Sequence, residues 1–184
     1  MTPLATTIAG CRVRPWRRDD KPALLRHADN RRVWLNLTDL FPHPYTEADA
    51  DAWLTLVESP GSNIHCAIER HGEAIGGIGV IAGRGLACRT GQFGYWLGEA
   101  HWGRGIATAA GHAMVEHVFA CAPFERLESA VFAWNPASMR VLEKLGFVRE
   151  GVMRRSVFKD GRLIDSVLYA AVRERDGAAA GLNT

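Results

Sequence analysis

The chain has 184 residues, 47% of them hydrophobic and 23% charged, the range of an ordinary globular domain that buries a core without disulfides or metal. Its 22 Lys and Arg against 20 Asp and Glu leave a formal net charge of +2. That balance argues against a dedicated nucleic-acid binder, whose affinity rests on phosphate neutralisation.

Cys11, Cys66, Cys88 and Cys121 form no Cys-x-x-Cys pair, so neither a zinc site nor a thioredoxin-like centre is expected. The first ten residues lack the order of a signal peptide, and no apolar run reaches the roughly 18 to 20 residues of a membrane span. The expectation is a cytoplasmic protein with reduced thiols and no membrane partner. A single domain is expected over residues 1–176, with a flexible tail over 177–184.

Cys11 to Trp16 alternates like a short strand limited by Pro15. Asp19 or Asp20 can cap a helix with Pro22 in its first turn and Ala23, Leu24, Leu25 and Ala28 as apolar positions. Two prolines keep Phe41-Pro42-His43-Pro44-Tyr45 irregular. Thr46 and Asp49 form a capping-box pattern that opens a helix through Val57, ended by Pro60-Gly61. Ile64 to Glu69 and Ala74 to Ala82 read as a hairpin, followed by a strand from Gln92 to Leu97.

Ile106 to Phe119 has apolar residues at helical spacing. A strand from Leu127 to Ala133, a short helix over Pro136 to Leu145 and a stop at Gly146 come next. Strands Gly151 to Phe158 and Leu163 to Val172 flank the turn Lys159-Asp160-Gly161-Arg162.

The chemical signal lies between Tyr95 and Thr108, where a strand enters, a Gly-rich turn follows and an amphipathic helix leaves. This order aims the unpaired amides and positive end of the helix at one point. Gly103 and Gly105 remove side chains where a phosphate oxygen would meet a Cβ, and Arg104 adds charge. The physical reading is a phosphate or pyrophosphate cradle; a tight turn without a ligand is the bland alternative. No Gly-Lys-Ser/Thr tripeptide of a Walker loop occurs. Gly77-Ile78-Gly79-Val80-Ile81-Ala82 has the dinucleotide-fingerprint spacing, but Gly83-Arg84-Gly85 breaks any following helix, so it reads as a strand passing close to another backbone.

A second segment runs from Asn135-Pro136-Ala137-Ser138 through Leu145-Gly146-Phe147 to Glu150-Gly151. With Trp102-Gly103-Arg104-Gly105-Ile106-Ala107 and Phe41-Pro42-His43-Pro44-Tyr45-Thr46, it resembles the GNAT superfamily of acyl-CoA-dependent N-acyltransferases, in its RimJ/RimL-like branch. The resemblance runs from about Arg12 to Val172. It implies an α/β (α+β) fold: a central mixed, mostly antiparallel twisted sheet with helices on both faces. Two strands, Gln92 to Leu97 and Leu127 to Ala133, would splay to admit acyl-CoA.

The same resemblance implies that Tyr95, Trp96 and Leu97 pair with the pantetheine arm, with the Leu97 N–H polarising the thioester carbonyl. Trp102, Gly103, Arg104, Gly105, Ile106, Ala107 and Thr108 would hold the pyrophosphate. Asn135 would bond the pantetheine side, and Ser138 would protonate the departing thiolate as general acid; a helix cap is the other reading of Ser138. The co-substrate is acetyl-CoA and no metal is called for, His112 and His117 being unsuitably spaced. The implied reaction is direct attack of a primary amine, from a protein N-terminus or a small molecule, on the acetyl carbonyl.

The general base is unassigned. Some members of the branch carry a Glu where this chain has Val157; Glu99, Asp165, His65 or a water relay are the alternatives, with Glu99 also readable as a solvated turn residue. Trp34 and Tyr45 are candidates for the acceptor wall. Arg12 to Arg18 reads most simply as a solvated strand edge. The enzyme is expected as a monomer or homodimer. A different class of function is a catalytically degenerate CoA-binding sensor or assembly module, favoured by the missing base.

Overall fold

The computed structural model describes residues 1–59 and 61–174. In chain order the elements are β1 (Leu4–Ala5), β2 (Cys11–Pro15), α1 (Lys21–Ala28), α2 (Arg31–Trp34), α3 (Glu47–Glu58), β3 (Ile64–Arg70), β4 (Glu73–Ala82), β5 (Thr90–Leu97), α4 (Ile106–Cys121), β6 (Arg126–Phe132), α5 (Pro136–Lys144), β7 (Val148–Lys159) and β8 (Arg162–Val172). The strands form one sheet in the order β1-β2-β3-β4-β5-β6-β8-β7. Every neighbouring pair is antiparallel except β5 and β6, which run parallel.

That parallel contact is short. β5 and β6 pair only at Thr90 with Arg126, Gly91 with Leu127 and Gln92 with Glu128. Beyond Gln92, β5 continues to Leu97 and β6 to Phe132 without pairing to each other. The expected splay is therefore present, and it leaves one edge of β5 open.

Alternation along β3 sorts the core into two layers, since successive side chains point to opposite faces. Cys66 and Ile68 join a cluster with Val13, Ile78, Val80 and the α4 residues Ile106, Ala110, Met114 and Val118. Those four α4 positions recur every four residues and form the helix's buried stripe. Ala67 lies on the other face, against Leu24 and Ala28 of α1 and Ala50 and Leu54 of α3. Helices thus cover both faces.

The local signals explain the elements. Thr46 and Asp49 form the capping box of α3 as expected, with Asp49 N–H donating to Thr46 Oγ1 at 3.3 Å. That helix ends at Glu58; Pro60 and the expected tail at 177–184 lie outside the described residues. His71 and Gly72, with φ of 50° and 89°, close the β3–β4 hairpin. A Cβ on Gly79 would meet the Ile64 carbonyl oxygen at 2.2 Å, so the fingerprint-like glycine is needed for close packing of strands.

Two expectations are corrected. Asp20 precedes α1, but its side chain does not cap that helix. Its carboxylate instead takes both Arg14 Nη atoms at 2.7 Å and the Arg17 N–H at 2.9 Å. Arg14 is only 1% exposed, not part of a solvated edge, and its Nε bonds Glu69, which also accepts from Arg12 at 2.6 Å. The pairing has a physical cause, because a guanidinium can be buried only when its donors are met.

Candidate active site

The mouth of the splay leads into a cleft of about 360 Å³ lined by β5, the turn after it, α4, α5 and the end of α2. Tyr95, Trp96, Leu97, Trp102, Gly103, Arg104, Gly105, Ile106, Ala107, Thr108, Asn135 and Ser138 all line it. Segments forty residues apart in sequence are thus brought to one cavity, and each contributes something different.

The turn supplies backbone donors. Gly103 and Gly105 have φ of 70° and 74°, a left-handed conformation that disfavours side chains. A Cβ on Gly103 would meet nothing within 4 Å, and one on Gly105 only Ile8 Cδ1 at 4.0 Å. The space above both is open to a ligand. The first backbone bond of α4 runs from Ala109 N–H to Gly105 O at 3.0 Å, and no side chain caps the helix. The amides of Ile106, Ala107 and Thr108 therefore stand outside the helical ladder with the positive end of the dipole. This set of donors fits a pyrophosphate.

The open edge of β5 supplies another donor. Gly98 N–H donates to Ile75 O at 2.8 Å. Because amides alternate along a strand, the N–H groups of Leu97 and Tyr95 face away from β4, toward the gap left by β6. Trp102 braces this edge by donating its indole N–H to Leu97 O at 2.7 Å.

From the other arm comes a hydroxyl pair. Asn135 caps α5, its Oδ1 accepting Ser138 N–H at 3.1 Å. Ser138 is therefore the capped residue and its Oγ is not spent on the helix end. That Oγ lies 2.7 Å from the Tyr95 hydroxyl, which also reaches Ser138 O at 3.3 Å. Burial pushes the Tyr95 phenol up to about 12, against the opposing effect of Ser138, so it stays a donor at neutral pH. The Tyr95 hydroxyl adds a side-chain contact to the strand-edge pairing expected of this residue. The missing signal was strand parity: Tyr95 shares a face with Phe93 and Leu97, toward the α5 side.

The two residues expected on the acceptor wall do not line the cleft. Tyr45 is 7% exposed and sits in the α1–α3 core beside Phe41 at 5.1 Å. Trp34 is covered by the Lys159 ammonium, 3.6 Å from its ring centroid, and stacks on His43 at 5.7 Å. In their place Val33 of α2 and Asn36 and Leu37 just after it line the cleft.

Nor do the candidate bases reach it. Glu99 is held by Arg32 and by Asn30 Nδ2 at 2.9 Å, which ties α2 to the cradle turn. Asp165 accepts the Arg155 N–H at 2.8 Å. His65 packs on Trp53 at 5.1 Å, and burial depresses its pKa. No carboxylate is among the described residues lining the cleft. His101, which does line it, is held below the usual imidazole range first by burial and then by His27 and Arg104. His27 approaches it edge-on at 5.1 Å.

Comparison with known proteins agrees with this architecture. The sequence profile of the acetyltransferase (GNAT) domain matches residues 11–148. The chain belongs to the GNAT acetyltransferase family. Within that family it is 39% identical over 90 residues to the probable N-acetyltransferase YjcK of Bacillus subtilis, covering 49% of this chain and 50% of that protein. It is 32% identical over 84 residues to the ribosomal-protein-serine acetyltransferase of Escherichia coli, covering 46% and 47%. The chain thus spans about half the length of the curated relatives it matches. In three dimensions the GNAT domain is similar to RimL, a ribosomal L7/L12 alpha-N-protein acetyltransferase solved with coenzyme A. That match has a TM-score of 0.81 and 20% identity, covering 92% of this chain and 97% of the other.

Proposed function

We propose that the chain is an acetyl-CoA-dependent N-acetyltransferase acting on a primary amine, with a protein N-terminus as the favoured acceptor. One observation carries the reading: a backbone phosphate cradle, an unpaired strand-edge amide and a shielded hydroxyl pair line the same cleft. The similarity to a ribosomal-protein-serine acetyltransferase and to RimL supports the choice of acceptor.

In this reading the amides of Gly103 to Thr108 hold the pyrophosphate of acetyl-CoA, and Tyr95 to Leu97 act as a strand edge for its pantetheine arm. The Leu97 N–H stabilises the oxyanion as the amine nitrogen bonds the acetyl carbon. When the carbon–sulfur bond breaks, the electron pair stays on sulfur, which takes the proton of Ser138 Oγ. Tyr95 donates to Ser138 Oγ and returns that proton. The proton that the amine nitrogen gives up as the amide forms passes through solvent to reprotonate Tyr95, so that CoA leaves as the neutral thiol. Holding both reactants in one cleft supplies much of the acceleration.

A second reading is favoured by the absence of a carboxylate among the described lining residues: a CoA-binding sensor or assembly module without turnover. Thiol release from acetyl-CoA with a panel of amines, measured beside CoA affinity, separates the two. Thiol release that requires an amine supports the transferase. Tight CoA binding with no release on any amine overturns it.

A further inference from the structure

A second cavity of about 500 Å³ lies between α2 and the β7–β8 hairpin, and Asn36 and Trp102 line both it and the cleft. It is therefore the open approach to the cleft from the α2 side. Its lining holds three guanidinium groups, Arg31, Arg32 and Arg162, against one carboxylate, Asp160. Two of the arginines are already engaged: Arg31 grips Asp160 at 2.8 and 2.9 Å, and Arg32 is paired with Glu99.

Arg162 differs. Its guanidinium carbon lies 5.5 Å from the Trp134 ring centroid, and among the described residues it has no carboxylate partner. A cation–π contact of this kind holds the group near the ring while leaving its N–H donors free for an anion. The neighbouring cation, Lys159, is neutralised by Asp39 at 2.6 Å and turned onto Trp34. The unsatisfied donor group of this approach is thus Arg162.

We infer that the approach selects an amine acceptor bearing a carboxylate, which Arg162 binds while the amine reaches the thioester. The inference rests on the transferase reading above. The same charge has a second effect. A net positive lining disfavours an ammonium and lowers the pKa of an incoming amine, raising the fraction in the neutral form that attacks. In a cleft whose described lining has no carboxylate, this performs part of the work of a general base. A polyamine is repelled, and an acidic peptide N-terminus or a free dicarboxylic amino acid is drawn in.

The test uses the full chain with acetyl-CoA and four acceptors: peptide Ser-Glu-Asp-Ala, peptide Ser-Lys-Arg-Ala, free glutamate and spermidine. Thiol release gives kcat and KM; quenching of tryptophan fluorescence gives acceptor binding to the CoA-loaded protein. The acidic peptide or glutamate should be preferred, the better of the two identifying a polypeptide or a small acceptor. Arg162→Ala should raise KM for that acceptor about tenfold with little change in kcat, the effect of losing one charge-assisted pair. The acid limb of its kcat profile, which reports the bound amine, should move to higher pH while the plateau stays, and Arg162→Lys should restore part of both effects. Equal or better use of the basic peptide or spermidine, or an Arg162→Ala profile unchanged in KM and pH, overturns the inference and leaves the transferase standing. No thiol release on any amine overturns the transferase instead. The anionic site is then decided by whether the acidic peptide alone binds the CoA-loaded protein and loses affinity in Arg162→Ala.

Discussion

On one side of the cleft a single run of chain, Tyr95 to Thr108, supplies a strand edge, a turn and a helix start. On the other, α2 meets the β7–β8 hairpin through Arg31 and Asp160, 129 residues apart in sequence. The first wall is made of main-chain amides whose directions follow from φ values and strand parity. The second is made of long charged side chains whose positions depend on who pairs with whom. A ligand common to many proteins can be held by backbone; a particular acceptor has to be read by side chains.

The comparison can be broken at its supports, beginning with the largest expected effect. The α1 side is anchored on the buried Arg14, bound to Asp20 and Glu69. Asp20→Ala leaves part of that guanidinium unpaired and should destabilise the fold by about 3 kcal/mol, measured by urea unfolding. A loss near zero would mean that the network is dispensable. Ser138→Ala should lower kcat by about 100-fold, the scale of general acid catalysis, with CoA affinity nearly unchanged by calorimetry; an unchanged kcat removes the acid role.

Tyr95→Phe keeps the ring and removes the hydroxyl's contacts with Ser138 Oγ and O, so about a tenfold fall in kcat is expected. Combined with Ser138→Ala it should cost almost nothing more, because both act on one proton; additive losses would separate the two hydroxyls. The smallest effect concerns acid. Burial raises the Glu69 pKa, but Arg14 and Arg12 pull it further down, so the net is below the ordinary carboxylate range. The stabilisation is therefore complete above the unfolded value of about 4.3 and is lost as pH falls through the lower folded value. Tm followed from pH 6 downward should show this, and the dependence should weaken in Glu69→Gln.

Much of the fold was legible because the signals were local. The Thr46–Asp49 box, the α4 stripe and the His71-Gly72 turn each act within a few residues. The four-residue α2 and two-residue β1 have too little periodicity to register, though Asn30 does cap α2, accepting Arg32 N–H at 2.8 Å. The glycine turn before α4 was legible for the same reason. Arg14 was not, since its burial depends on Glu69, 55 residues away. That Tyr45 and Trp34 lie off the cleft is not legible in the sequence, because an aromatic in or beside a loop carries no mark of which neighbour covers it; here these are Phe41 and Lys159. Glu99 looked available from its place beside the cradle, and only the fold brings Arg32 and Asn30 to it.

The central claim is that the backbone of the Gly103–Thr108 turn holds the co-substrate, and calorimetric titration of CoA into wild type and Gly105→Val tests it most directly. A branched Cβ there would enter the open space above the turn, at a φ of 74° that already strains a side chain. Wild type should bind one CoA per chain. The variant, with its fold verified in the same sample by near-UV circular dichroism, should lose at least about 100-fold in affinity, or about 2.7 kcal/mol. A folded variant that binds CoA as tightly as wild type would contradict the account.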